Sequence, residues 1–338
     1  MALLEIKNLK VYYKTRRGIN QAVDGISFEV EEGQSMGLVG ESGCGKSTLA
    51  RAIIRVMSRN AIIAGGEIHF EGSNILEYSE KQMREIRWTE MALVPQAAMD
   101  SLNPVYTIEN QFKEILTKKS KLRRKEAKKR AKELFQMVAL DSHYLNRYPH
   151  EFSGGMKQRA VIALAFSLNP KLLITDEPVT ALDVIVQNQV LRELKQLRAR
   201  FNVALIMITH DISVVAETCD LIAVMYAGKI VERGPAREVL KHSIHPYTMG
   251  LENAFPNLVN PREVLISIEG APPDLVDPPV GCRFTPRCPF RLDICEETEP
   301  NLIEFKSTHF SACHRLDELD MLRAKTTEVD TWRKAVTS

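Results

Sequence analysis

The 338-residue chain has no run of about 18 consecutive apolar residues, the length a membrane-spanning helix needs. Its opening stretch, MALLEIKNLKVYY, carries Glu5, Lys7 and Lys10, which breaks the apolar segment of a secretory signal. Net charge is almost absent: 45 Lys and Arg against 43 Asp and Glu leave +2, so the balance gives no argument for nucleic-acid binding. Any basic surface must be local. Cysteine is scarce, with six in the whole chain, yet four of them (Cys282, Cys288, Cys295 and Cys313) crowd the C-terminal part. Without an export signal the expected compartment is the cytosol, where thiols stay reduced. A disulfide framework is therefore a poor explanation for that crowding. Charged residues at 26% and hydrophobic residues at 44% are ordinary for a soluble globular protein. The length suits one large domain with an extension, or two domains.

Short strands and helical stretches alternate through most of the chain. LLEIKNLKVYY and QAVDGISFEV read as strands around the turn TRRGIN. SMGLVG, MALVP, KLLIT, VALIMIT and LIAVMY read as short buried strands. KSTLARAIIRVM and DVIVQNQVLRELKQLRARF have helical spacing, and about 105–170 is helical, including a lysine- and arginine-rich helix read as a solvated face. AGK at 227–229 reads as a tight turn between two strands. The pattern predicts an α/β core with a mostly parallel sheet. After about residue 235 prolines recur, which works against long helices and central strands and predicts a loop-rich module. The last twenty or so residues are polar, either helical or disordered.

The chemistry begins at GESGCGKST, residues 40–48, which fits G-x-x-x-x-G-K-[ST] between a predicted strand and a predicted helix. Within it, Gly40 and Ser42 start the loop. Gly43 and Gly45 let backbone N–H groups curl around phosphate oxygens at a helix N-terminus. Lys46 is expected on the β- and γ-phosphates, Ser47 on Mg2+ and Thr48 near the α-phosphate. Cys44 holds a variable position of the loop and is expected to line it without catalytic use. LLITDEP, residues 172–178, is a buried strand ending in two carboxylates. Asp176 is placed to bind Mg2+. Glu177 points differently and can polarise an attacking water.

EFSGGMKQR, residues 151–159, resembles the LSGGQ signature of ATP-binding cassette (ABC) ATPases, with Phe152 and Met156 in place of Leu and Gln. The order phosphate loop, Gln96 in VPQ, SGG, TDEP, ALD and ITHD is similar to that family over residues 1–235. The resemblance implies a P-loop NTPase ABC nucleotide-binding domain, with a RecA-like core and antiparallel β and helical subdomains, the helical one at about 97–170. It implies that Tyr13, or less favourably Tyr12, stacks on adenine. Gln96 would sense Mg2+ and water and link the site to a membrane partner. His210 would hold Glu177, water and the γ-phosphate. Ser153, Gly154, Gly155 and Asp183 would serve ATP held on the opposite subunit.

Three further stretches narrow the resemblance. PQAAMDSLNPVYTI, HPYTMGLENAFPNL and GAPPDLVDPPVGCRFTPRC resemble segments of dipeptide and oligopeptide importer ATPases. Nickel-importer ATPases of the same branch are the nearest competitor, and a soluble, non-transport ABC ATPase is more distant. The resemblance implies a peripheral subunit on the cytoplasmic face of the membrane. It would pair with a second ATPase subunit, a paralogue or a copy, and with two transmembrane permease subunits. An extracytoplasmic peptide-binding protein would deliver substrate, and no nucleic acid is involved. The cysteines, spaced C-x5-C-x6-C-x17-C, leave three readings open: an iron–sulfur cluster, zinc, or unligated or disulfide-bonded thiols. The resemblance implies the first, a [4Fe–4S] cluster in a module at 236–320, followed by a polar tail at 321–338. Arg283, Arg287 and Arg291 would offset its charge, and His309 and His314 are spare ligands. Cys219 reads as a small core residue.

Overall fold

Two long strands open the structure, a computed structural model that describes residues 2–180, 182–254, 267–306 and 308–334. Strands β1 (Ala2–Thr15) and β2 (Gly18–Glu31) form an antiparallel hairpin. Leu4, Ile6, Leu9 and Val11 of β1 turn inward. The step from Ile6 to Leu9 breaks strict alternation. A bulge there, with Asn8 in the left-handed region, absorbs the extra residue. Strand β3 (Ser35–Val39) leads into the glycine-rich loop and helix α1 (Lys46–Ile53). Strands β4 (Ala61–Phe70) and β5 (Ser73–Asn74), which the sequence pattern did not single out, complete a four-stranded sheet in the order β2-β1-β4-β5.

Helix α2 (Glu80–Ile86) starts from a Ser79 capping box and leads to strand β6 (Met91–Val94). The helical region follows as α3 (Ala98–Ser101), α4 (Ile108–Lys119), α5 (Arg124–Met137) and α6 (Gly154–Ala165). On α5, Ala127, Ala131, Leu134 and Phe135 form the buried stripe. Full burial of a side chain such as Leu134 contributes about 1.5–3 kcal/mol. The basic face stays outside, except that Lys128 reaches the buried Glu109 of α4 at 2.8 Å. Strand β7 (Leu172–Asp176), helix α7 (Val184–Phe201), strand β8 (Ala204–Thr209), helix α8 (Ile212–Thr218) and strand β9 (Leu221–Tyr226) follow. Helix α7 ends at Asn202 in the left-handed conformation, a common stop.

Strands β6, β7, β8, β3 and β9 are parallel neighbours. Both their faces are covered, which is why they read as unbroken apolar runs. Ile206 and Ile208 join the core beneath the antiparallel sheet and α1; Leu205 and Met207 join the core beneath the helical region. The turn at Ala227 and Gly228 sends the chain back as β10 (Lys229–Pro235), antiparallel to β9.

The proline-rich segment, expected to be loop-rich, also holds short regular elements. After α9 (Ala236–Lys241) and α10 (Pro246–Asn253), and a short α11 (Ile294–Glu297), it forms strands β11 (Ile303–Lys306) and β12 (His309–Ser311). This hairpin pairs with β10 and extends the main sheet to eight strands, in the order β11-β12-β10-β9-β3-β8-β7-β6. The polar end forms α12 (Leu319–Thr326) and α13 (Val329–Lys334). Trp332, 1% exposed, enters the larger core, and its indole N–H donates to Thr326 O at 2.9 Å. Among the described residues no helix is long and apolar enough to cross a membrane. Part of the stretch HPYTMGLENAFPNL lies outside the described residues.

Candidate nucleotide site and cysteine cavity

The glycine-rich loop is pinned between β2 and β9. Gly45 has φ +107°, and a Cβ there would lie 2.0 Å from Ala22 O. Gly40 has φ +154°, and its Cβ would lie 2.1 Å from Met225 O. No L side chain fits either position without moving backbone. Lys46 is 6% exposed, and its ammonium donates to Gly40 O at 2.6 Å and Glu41 O at 2.8 Å. No side chain caps α1, so its first N–H groups remain available to an anion. The Tyr13 hydroxyl lies 3.1 Å from Thr48 Oγ1, whereas the Tyr12 hydroxyl donates to Asp24 at 2.7 Å. Of the two tyrosines, Tyr13 is thus the one attached to the loop. Cys44 is buried behind the loop, and burial pushes its thiol up.

The acidic end of β7 closes the site from the other side. Asp176, 3% exposed, accepts the Ser47 hydroxyl at 3.1 Å. Burial raises its carboxyl above the usual range; the Ser47 hydrogen bond opposes this, and the Glu177 charge adds to it. Glu177 takes the left-handed conformation, φ 51°, and its N–H donates to Ile208 O at 2.8 Å. Its carboxylate lies in a polar bracket. Gln96 Nε2 lies 3.4 Å from Oε2, the Thr180 hydroxyl donates to Oε2 at 2.9 Å, and His210 Nδ1 lies 3.2 Å from Oε1. The structure thus brings Ser47, Asp176, Glu177, Gln96 and His210 to one place. Sequence reasoning missed Thr180, whose only signal is a hydroxyl three residues beyond Glu177.

The SGG motif opens helix α6. Ser153 caps α6 by accepting Met156 N–H at 3.3 Å, and Asp183 caps α7 by accepting Val186 N–H at 3.0 Å. Gly154 opens α6, and Gly155 packs where a Cβ would come within 2.4 Å of Val186. Ala181, the first residue of ALD, lies outside the described residues.

The four tail cysteines line one small cavity, together with Phe284, Phe290 and Arg315. Burial pushes the Cys313 thiol up to about 12 and raises Cys288 and Cys282 as well. Among the described residues no three Cys, His, Asp or Glu side chains converge on a point as a single ion requires. The lining is largely apolar, with His245 and His314 beside the four sulfurs, and four sulfur donors are the set a multi-iron cluster takes.

Several expected partners of this cavity are engaged elsewhere. His309 lies 2.8 Å from the buried Glu232 carboxylate, away from the thiols; His314 does line the cavity, but its Nε2 lies 3.0 Å from Thr298 O. Arg283 and Arg287 point into the ATPase core rather than at the thiols, pairing with Asp24 and Glu41. Arg315, unremarked in the sequence, lies at the cavity wall; its backbone N–H donates to Cys313 Sγ at 3.5 Å, while its guanidinium pairs with Glu318. Cys219 is buried, at the C-terminal cap of α8.

Comparison with known proteins shows the family. Residues 23–180 match the family described as ABC transporter, and residues 231–295 match the oligopeptide/dipeptide transporter C-terminal region. A probable peptide ABC transporter ATP-binding protein of Sinorhizobium fredii is 43% identical over 94% of this chain and 96% of its own. The oligopeptide transport ATP-binding protein OppD of Escherichia coli is 42% identical over 93% of both chains. Among solved structures, the ATP-binding cassette MJ0796, a dimer bound to ADP and Pi, aligns with TM-score 0.63 at 26% identity, covering 69% of this chain and 99% of that one. The chain therefore belongs to the family of ATP-binding subunits of oligopeptide and dipeptide ABC transporters.

Proposed function

We propose that this chain is the ATP-hydrolysing subunit that drives peptide import through separate permease chains. The observation that carries the reading is the meeting of a phosphate cradle with Asp176 on Ser47 and with Glu177 bracketed by Gln96, Thr180 and His210. Lys46 and the N–H groups of residues 40–48 bind the phosphates. Ser47 and Asp176 are oxygen donors suited to a hard cation, and the Gln96 amide oxygen is a third donor of the same kind. Mg2+ held there would neutralise phosphate charge. Glu177 takes the proton of the attacking water, and His210 and Thr180 hold its carboxylate in place. Tyr13 offers its ring to the adenine. Ser153, Gly154, Gly155 and Asp183, at the starts of α6 and α7, would complete the site of a second ATPase subunit in a head-to-tail pair. The 231–295 match supports peptide as the cargo. The subunit would sit at the cytoplasmic membrane surface on two permeases, fed by an external peptide-binding protein.

The test is reconstitution in vesicles with the permeases and partner ATPase. Delivered peptide is expected to raise ATP turnover and to accumulate inside. Unstimulated turnover with no uptake would overturn peptide import.

We infer further that Cys282, Cys288, Cys295 and Cys313 hold a [4Fe–4S] cluster. Such a cluster would cross-link loops whose proline content limits a core of their own. Anaerobic purification followed by iron and sulfide analysis is expected to return about four of each per chain. Zinc alone, or no metal with thiols that alkylate freely, would refute the cluster.

A further inference from the structure

Two arginines of the cysteine segment, each beside a cysteine, reach into the ATPase core. Arg287 directly precedes Cys288 and is 4% exposed. Its guanidinium grips both carboxylate oxygens of Glu41, at 2.8 and 3.0 Å. It also donates to Glu269 O at 3.0 Å, Ile268 O at 3.1 Å and the Tyr226 hydroxyl at 3.3 Å, so its donors are spent and its orientation is held. Glu41 is the second residue of the phosphate-binding loop. Its carbonyl accepts Lys46 Nζ, and its N–H donates to the Tyr247 hydroxyl of α10 at 3.0 Å. Arg283, directly after Cys282, pairs with Asp24 at 2.5 Å, and Asp24 holds the Tyr12 hydroxyl beside Tyr13.

Glu41 poses an electrostatic problem. A carboxylate on the loop that receives a polyphosphate repels it, and the repulsion is strong where water is partly excluded. Arg287 cancels that charge. Its planar fork also fixes Glu41 in one orientation, which a lysine cannot reproduce.

We propose that Arg287 is a positioning residue for nucleotide binding. It neutralises Glu41 and holds the phosphate-binding loop, so that ATP affinity depends on how the cysteine segment is seated. The inference rests on residues 40–48 being the nucleotide site. It stands whether or not the cysteines carry a cluster.

The experiment is a double-mutant cycle on the full chain, with Mg-ATP dissociation constants measured by titration calorimetry. Arg287→Ala is expected to weaken binding about tenfold, within the range of couplings between groups in contact. In a Glu41→Gln background the same substitution is expected to weaken it less than about threefold, because no carboxylate remains to be neutralised. Arg287→Lys should fall between wild type and Arg287→Ala. If Arg287→Ala is recovered only unfolded, Arg287→Gln replaces it under the same criteria. Lys46→Ala serves as the control for the site itself. Should Lys46→Ala bind Mg-ATP like wild type, the site assignment fails. Should Lys46→Ala abolish binding while Arg287→Ala costs nothing, or costs the same in both backgrounds, the positioning role is overturned.

Discussion

Glu232→Ala should loosen the attachment of the C-terminal segment more than any surface change. Glu232 lies on β10 with 0% exposure, paired in register with Ser311 of β12. One carboxylate oxygen accepts Ile244 N–H at 2.9 Å and faces His309 Nε2 at 2.8 Å; the other accepts His245 N–H at 2.9 Å. A single side chain thus ties the sheet to the start of α10 and to the added hairpin, two residues before Cys313. Alanine would strand two buried backbone donors and an imidazole. Each stranded group costs about 1–3 kcal/mol, and removing the charged partner of a buried network typically costs about 3–5 kcal/mol. The expected loss is therefore about 3–5 kcal/mol, a large share of an ordinary folding free energy of roughly 5–15 kcal/mol. Glu232→Gln keeps one oxygen for Ile244 and His309 but turns an amide N–H2 toward His245, and should cost about 1–2 kcal/mol. Urea unfolding of the three proteins, with the slopes compared, measures both numbers. Equal midpoints for Ala and wild type, or a Gln variant as weak as Ala, would refute the hydrogen-bond argument.

Other outcomes follow from the site and the burial pattern. Glu177→Gln should leave Mg-ATP binding intact and lower kcat by about 10²–10⁴-fold; near-wild-type turnover would show that another group activates the water. Glu252 sits where burial, opposed by a Ser243 hydrogen bond and reinforced by Glu232, pushes its carboxyl up from 4.5 to about 8. A carboxyl raised on folding contributes stability that is complete below about pH 4.5 and lost as pH rises through about 8. Glu252→Gln should therefore raise Tm relative to wild type above pH 8, and the gain should vanish below pH 4.5. A Tm difference independent of pH would remove Glu252 as its source.

Most of the nucleotide site was legible because its chemistry depends on local spacing. Gly45, Lys46 and Ser47 are adjacent in the chain, so one backbone turn places all three. Asp176 and Glu177 are neighbours at a strand end, and the unbroken apolar runs of β7 and β8 betray their burial on two faces. The cysteine group was also visible as a spacing. Thr180 was not, because a threonine near an acidic residue is common and only the left-handed turn at Glu177 swings the carboxylate onto it. Strands β4, β11 and β12 were missed, since glycine and proline nearby masked a period of two that pairing with a neighbour overrides.

The sequence by itself determined the reaction class, the phosphate loop, the paired carboxylates and the grouping of thiols, because each resides in a few consecutive residues with restricted conformations. Only the tertiary structure decided what Arg283, Arg287 and His309 do. Spacing assigned them to the thiols, but their partners Asp24, Glu41 and Glu232 lie far away in the chain. A charged side chain that is buried must find its counter-charge wherever the fold provides one, and sequence separation carries no information about that distance.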